Sequence, residues 1–129
     1  MTPATYDFTW VRGSTTPLRL SFMVDNVAIP YDDIRLSVYK GKTLAFRLSI
    51  TQDLDTTGNP GTVLQNAPGD VSFIPTSFQT RSLTQTPNDG TTGKNSYEVE
   101  VRNGLDEQVY LLGTIAAIGG LNDDEEVAS

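Results

Sequence analysis

Ile34-Arg35-Leu36-Ser37-Val38-Tyr39-Lys40-Gly41-Lys42-Thr43-Leu44-Ala45-Phe46-Arg47-Leu48-Ser49-Ile50 decides the fold class of this chain. Apolar residues take every second position on both sides of a short, glycine-containing break. Ile34, Leu36 and Val38 form one row, and Leu44, Phe46, Leu48 and Ile50 form the other. Arg35, Ser37, Arg47 and Ser49 fill the alternate positions. A period of two buries one face of an extended strand and leaves the other in water. The stretch therefore predicts a β-hairpin, Ile34 to Tyr39 paired with Thr43 to Ile50 across Lys40-Gly41-Lys42.

The same period recurs outward from the hairpin. Tyr6, Phe8 and Trp10 alternate in a first strand that runs to Val11, and Leu18, Leu20, Phe22 and Val24 alternate in a second. Arg12 to Pro17 separates them, and Asp25-Asn26 opens a turn. Beyond the hairpin, Val63-Leu64 starts a short strand, Asn66 to Asp70 turns, and Val71 to Ile74 is a strand halted by Pro75. Thr76 to Leu83 has no clean period; it reads as a single helical turn capped by Thr76 or Ser77, or as an irregular crossover. Tyr97, Val99 and Val101 alternate over 95–102, Asn103-Gly104 signals a turn, and Gln108 to Ile118 forms the last strand. That strand is apolar at both parities, with Val109, Leu111 and Ile115 on one face and Tyr110, Leu112 and Ile118 on the other. Such a strand is central or covered by a neighbour. Gly113 within it marks a bulge or the close approach of another backbone. Seven or eight strands at this spacing predict an all-β fold, an antiparallel immunoglobulin-like β-sandwich, with a barrel as the rival.

Composition narrows the chemistry. A chain of 129 residues is read as one domain, large enough to bury a core without staples. The β-sandwich is expected over 1–120, with an acidic tail or arm over 121–129. The sequence contains no histidine and no cysteine. The commonest general base, the commonest metal ligand and the thiol nucleophile are thus missing together. The expectation is a non-enzymatic protein without cofactor or bound metal. The formal charge is −7, and Asp123, Asp124, Glu125 and Glu126 supply four of the 16 acidic residues. A negative chain is repelled by nucleic acid and anionic lipid, so neither is expected as a partner. No apolar run approaches the ~20 residues of a membrane span. The opening Met1 to Thr5 lacks the basic cap and apolar core of a signal peptide, so synthesis in a cytoplasm without export by that route is expected.

Several clusters invite a sharper reading. Asp53, Asp55, Thr57 and Gly58 follow part of a calcium-loop pattern, but the closing ligand falls at Leu64, which cannot coordinate; a solvated loop is the expectation. Asp32-Asp33 and the run from Asp123 to Glu126 are read as exposed turn and tail, because acid/base work needs a desolvated pocket. Arg12, Arg19, Arg35 and Arg47 are read as solvated or interfacial ion-pair residues. Gln85 to Lys94 is a polar loop. Tyr6, Phe8 and Trp10 form an aromatic row whose shared face favours core packing over a sugar-stacking platform. The doubly apolar last strand and the tail define the candidate interface: Tyr110, Leu112, Ile118, Leu121, Asp123 and Asp124.

These residues resemble a family. Tyr6-Asp7-Phe8-Thr9-Trp10-Val11-Arg12-Gly13-Ser14-Thr15-Thr16-Pro17-Leu18-Arg19-Leu20 is similar to the start of small immunoglobulin-like virion domains of tailed bacteriophages. There an aromatic-rich strand leads through an Arg/Gln-Gly-Asp/Ser-Thr step to an alternating strand. Ile34 to Lys40, Val71 to Pro75, Tyr97 to Val101, Leu112 to Ile115 and Gly119 to Asp124 match later pieces of the pattern. The chain resembles the N-terminal domain of baseplate upper proteins and small tail or neck accessory proteins. The resemblance implies a structural virion component, made in the bacterial host cytoplasm, that attaches to tail, neck or fibre proteins as a homo-oligomer. No long C-terminal helix or fibre follows the domain here, so a stand-alone accessory, adaptor or adhesin subunit is the expected form. A capsid decoration protein and a carbohydrate-binding module for a host-surface glycan are the alternatives.

Overall fold

The computed structural model describes residues 3–50, 62–84 and 95–119. Its described elements are strands β1 (Ala4–Thr5), β2 (Phe8–Val11), β3 (Leu18–Ser21), β4 (Met23–Val24), β5 (Val27–Ala28), β6 (Asp33–Lys40), β7 (Thr43–Ser49), β8 (Thr62–Ala67) and β9 (Asp70–Ile74), helix α1 (Ser77–Arg81), and strands β10 (Asn95–Asn103) and β11 (Asp106–Ile118). The fold is all-β, as the alternation predicts.

The deciding hairpin forms as β6 and β7, with Leu36 opposite Leu48 and Val38 opposite Phe46. Lys40 pairs with Thr43, so the turn is the two residues Gly41-Lys42, and Gly41 supplies the positive φ that such a tight connection needs. β10 lies antiparallel against β6, and β11 against β10, giving the order β1-β11-β10-β6-β7. β2 shares the outer edge of β11 with β1, and both run parallel to it. The large sheet is therefore mixed rather than antiparallel throughout. β3, β9 and β8 form a second, antiparallel sheet. Its inward residues Leu18, Val71 and Phe73 join Ile34, Leu36, Val38, Phe46, Tyr97 and Val99 of the large sheet in one buried apolar cluster.

Three expectations change. The run from Tyr6 to Val11 is not one strand: it breaks at Tyr6-Asp7 into β1 and β2. The run from Leu18 to Val24 breaks at Phe22, and Asp25-Asn26 becomes the turn of a small hairpin, β4 with β5. Both turn residues have positive φ, which type I′ turns require and which Asp and Asn tolerate. The two breaks and the added strand β5 raise the number of described strands to eleven. The aperiodic stretch after Pro75 does form a helical turn, α1. Thr76 caps it, with its hydroxyl accepting from the Gln79 amide at 3.0 Å and the Gln79 side chain accepting from the Thr76 amide at 2.8 Å.

Candidate functional site

The last strand carries the site, and one irregularity determines its shape. Val99 pairs with Leu111 and Glu100 with Val109, so Tyr110 is an extra residue on β11. This bulge resets the parity of the strand. Tyr110 joins Leu111 and Ile115 on the core side, and Val109 moves to the outer face. The expected grouping of Tyr110 with Leu112 and Ile118 is thereby corrected. Leu112 is half-buried and Ile118 exposed on the outer face, while Tyr110 packs against the core. Leu121, Asp123 and Asp124 lie outside the described residues, as does the calcium-like run from Asp53 to Asn59.

Inward, the Tyr110 ring meets Phe22 at 5.0 Å between centroids. Phe22 sits where β3 ends, and its amide donates to the Gly69 carbonyl. A groove of about 400 Å³ opens here between β3 and β11, lined by Tyr6, Leu18, Leu20, Phe22, Tyr110 and Leu111. Tyr110 also lines a smaller cavity of about 210 Å³ with Ile29, Pro30 and Val101. Arg19 stands at the lip of the groove and grips Asp70 with both arms, Nε to Oδ1 at 2.8 Å and Nη2 to Oδ2 at 2.5 Å. That hydrogen bonding raises the Arg19 pKa and holds the Asp70 carboxyl below its ordinary value. Both groups face solvent, so the pair orients the lip more than it stabilises the fold.

Tyr6 reaches the groove because the first strand breaks. At the break the backbone crosses directly over Gly113: a β-carbon there would lie 2.0 Å from the Tyr6 carbonyl oxygen. Of the bulge or close backbone approach expected at Gly113, the close approach is what forms, and the bulge of β11 falls at Tyr110 instead. The crossing is held by three hydrogen bonds. The Tyr6 amide donates to Leu112 O at 2.9 Å, the Thr114 amide donates to Asp7 Oδ1 at 2.9 Å, and the Tyr97 hydroxyl donates to Tyr6 O at 2.5 Å. Burial, with Asp7 and Tyr6 nearby, pushes the Tyr97 hydroxyl up to about 12. The Tyr6 ring remains 50% exposed and stacks on Phe8.

Other singled-out residues resolve as follows. Trp10 is 2% exposed, packs against Phe8 and Phe46, and donates its indole N–H to Thr16 O at 3.0 Å; its ring faces the core and not solvent. Asp32 and Asp33 do not act as an exposed pair. Asp32 accepts from the Gly104 amide at 2.8 Å. Asp33 is 4% exposed at the head of β6, where it accepts from Arg35 Nε at 2.7 Å and the Ile50 amide at 3.1 Å. Burial is tolerated because its carboxylate gains a charged partner and a backbone donor. Arg12 is not a solvated strand residue: it donates to Leu83 O at 3.2 Å and Arg81 O at 2.9 Å, tying β2 to the end of α1. Leu64, at the closing position of the calcium pattern, is exposed on β8.

Sequence reasoning missed Asn95, the inward turn of Tyr110, and Tyr31, whose hydroxyl donates to Gln65 Oε1 at 2.7 Å and accepts from the Gly69 amide at 3.2 Å. Buried Asn95 accepts from the Thr84 amide at 3.0 Å and donates to Thr84 O at 2.7 Å, fixing the segment after α1 to β10. A lone Asn at a strand start carries no signal of this in the sequence. Among the described residues, no group of three or more His, Cys, Asp or Glu is placed to hold a metal ion. No described helix is long and apolar enough to cross a membrane. What the groove offers is an aromatic and aliphatic concavity with a polar lip, suited to taking up apolar side chains. No family model and no curated protein matches the chain.

Proposed function

We propose that this chain is a non-enzymatic structural component of a tailed-phage virion, an accessory or adaptor subunit at the tail or neck, built as an immunoglobulin-like β-sandwich. The observation that carries the reading is the groove between β3 and β11. It gathers Tyr6 from the break between β1 and β2 in the family-like opening segment and Tyr110 from the last strand beside a core shared by two sheets. Association is the mechanism: apolar side chains of a neighbouring virion protein seat against Tyr6, Leu20 and Tyr110, and the rim groups set orientation. The Arg12-Gly13-Ser14 step supports the reading further. It docks α1 through Arg12 and through the Gly13 amide, which donates to Thr80 Oγ1 at 3.0 Å. The quoted step thus has a structural role in fixing the end of β2.

Capsid decoration is the same chemistry at another place on the particle. Sugar recognition loses Trp10 as a stacking ring, since that indole is enclosed, and would fall to Tyr6 and Tyr110. Cryo-electron microscopy of the source virion tests the proposal. Density for the two-sheet domain at the tail or neck, with its groove against a neighbour, is the expected result. Absence of the chain from intact particles overturns it.

A further inference from the structure

A sheet edge exposes a row of unpaired N–H and C=O groups, and proteins usually block it with charge, proline, breaks or bulges. The first edge of the large sheet is split at Tyr6-Asp7 into β1 and β2. β7, at the other edge, has a bulge at Ala45 and carries Arg47. β3 follows Pro17 and carries Arg19. β8 differs. Its sequence, Thr62-Val63-Leu64-Gln65-Asn66-Ala67, holds no charge and no proline, and it pairs with β9 and no other described strand. Every residue but Val63 is exposed, Leu64 at 47%. A bulge at Asn66 leaves the stretch before it in regular register. The Tyr31 hydroxyl holds the strand in place, donating to Gln65 Oε1 at 2.7 Å and accepting from the Gly69 amide at 3.2 Å.

We propose that two copies of this chain associate through β8, edge to edge and antiparallel, joining two three-stranded sheets into one. Charge selects the second copy as the occupant. Chains of net charge −7 repel each other, so self-association is favoured where neither copy contributes a charge. β8 is such a strip, and self-pairing sets no like charges opposite one another. A basic partner strand would find no carboxylate on β8, and nearby Asp70 is already engaged by Arg19. Symmetry then fixes the register. A two-fold axis normal to the sheet pairs residues of equal parity, because the side-chain period is two. Centring it on Leu64 covers the exposed leucine with its own copy and sets Val63 opposite Gln65. This contact is separate from the β3–β11 groove and does not rest on the virion reading.

The absence of cysteine from the sequence makes single-cysteine variants clean reporters. Leu64→Cys forms a covalent dimer under mild oxidation, because opposed residues of an antiparallel pair lie about 4.5–5.5 Å apart at Cα, within disulfide range. Thr62→Cys alone does not, while Thr62→Cys mixed with Asn66→Cys gives the mixed dimer. Sedimentation equilibrium of the full wild-type chain shows a reversible dimer. Leu64→Lys weakens it by about tenfold or more through like charges at the two-fold axis, with an unchanged circular dichroism spectrum. Leu105→Lys, on the exposed turn between β10 and β11, leaves it unchanged. A wild-type chain that stays monomeric to its solubility limit overturns the proposal. So does a dimer indifferent to Leu64→Lys, or cross-linking of Thr62→Cys alone as fast as Leu64→Cys.

Discussion

Gly113 on β11 and Leu64 on β8 stand for two opposite treatments of a strand. At Gly113 another segment of the same chain crosses so closely that no side chain fits, and hydrogen bonds from Tyr6, Tyr97 and Thr114 close the crossing. At Leu64 the strand is regular, uncharged and exposed, and its outer edge is hydrogen-bonded to no described strand. The first region is internally satisfied, so its residues contribute to stability. The second leaves backbone groups to water, so its residues are the ones through which the proposed association would run. The proposed association draws on both, a flank fixed by its own chain and an edge left available.

Substitutions in the two regions should therefore separate cleanly. The largest effect is expected at Trp10, whose indole fills the core beside β2: Trp10→Ala should lower unfolding free energy by ~3–5 kcal/mol in denaturant titration. A loss below ~1 kcal/mol would show that the flank is not packed as described. Gly113→Ala should cost ~3 kcal/mol, since the new methyl meets backbone that cannot swing away. If Gly113→Ala is neutral, the crossing is not there. Tyr97→Phe removes one hydrogen bond to Tyr6 and should cost ~1 kcal/mol at neutral pH.

Tyr97 also makes the closed flank sensitive to alkaline pH. Its hydroxyl titrates at about 12 in the folded chain against 10.0 ordinarily. The unfolded chain therefore loses this proton first as pH rises. The Tyr97 contribution to stability is full below pH 10 and declines as pH climbs from 10 toward 12, the direction linkage requires for a raised acid pKa. Tyr97→Phe should lose that share of the alkaline decline, read from thermal midpoints across the interval. The smallest effect on stability belongs to β8: Leu64→Lys should stay within ~0.5 kcal/mol under dilute, monomeric conditions.

Much of the closed flank was legible in the sequence. Alternation located the β6–β7 hairpin; of the row Tyr6, Phe8 and Trp10 expected on the core face, Phe8 and Trp10 pack inward and Tyr6 stays half exposed; and of the bulge or close backbone approach expected at Gly113, the close approach is what forms. A helical turn capped by Thr76 or Ser77 is one of two readings of the stretch after Pro75, and it forms with Thr76 as the cap. The rest was hidden for physical reasons. A bulge adds one residue without any compositional mark, so the parity of Tyr110 could not be read, and the apparent two-faced apolar strand was partly a product of that shift. The break at Tyr6-Asp7 falls inside an unbroken alternation, because it is imposed from across the sheet at Gly113. Asp33 reads as a turn residue until Arg35 and the Ile50 amide are brought to it. The groove itself joins residues about ninety positions apart, Leu20 and Tyr110 among them, and no local pattern encodes that meeting.

Amide hydrogen exchange measured over a range of protein concentrations tests the contrast most directly. The Tyr6 and Thr114 amides should be protected at every concentration, through their bonds to Leu112 O and Asp7 Oδ1. The β8 amides that point away from β9 should exchange freely in dilute solution and gain protection as concentration rises. Protection of those β8 amides at all dilutions, or free exchange at Tyr6 and Thr114, would contradict it.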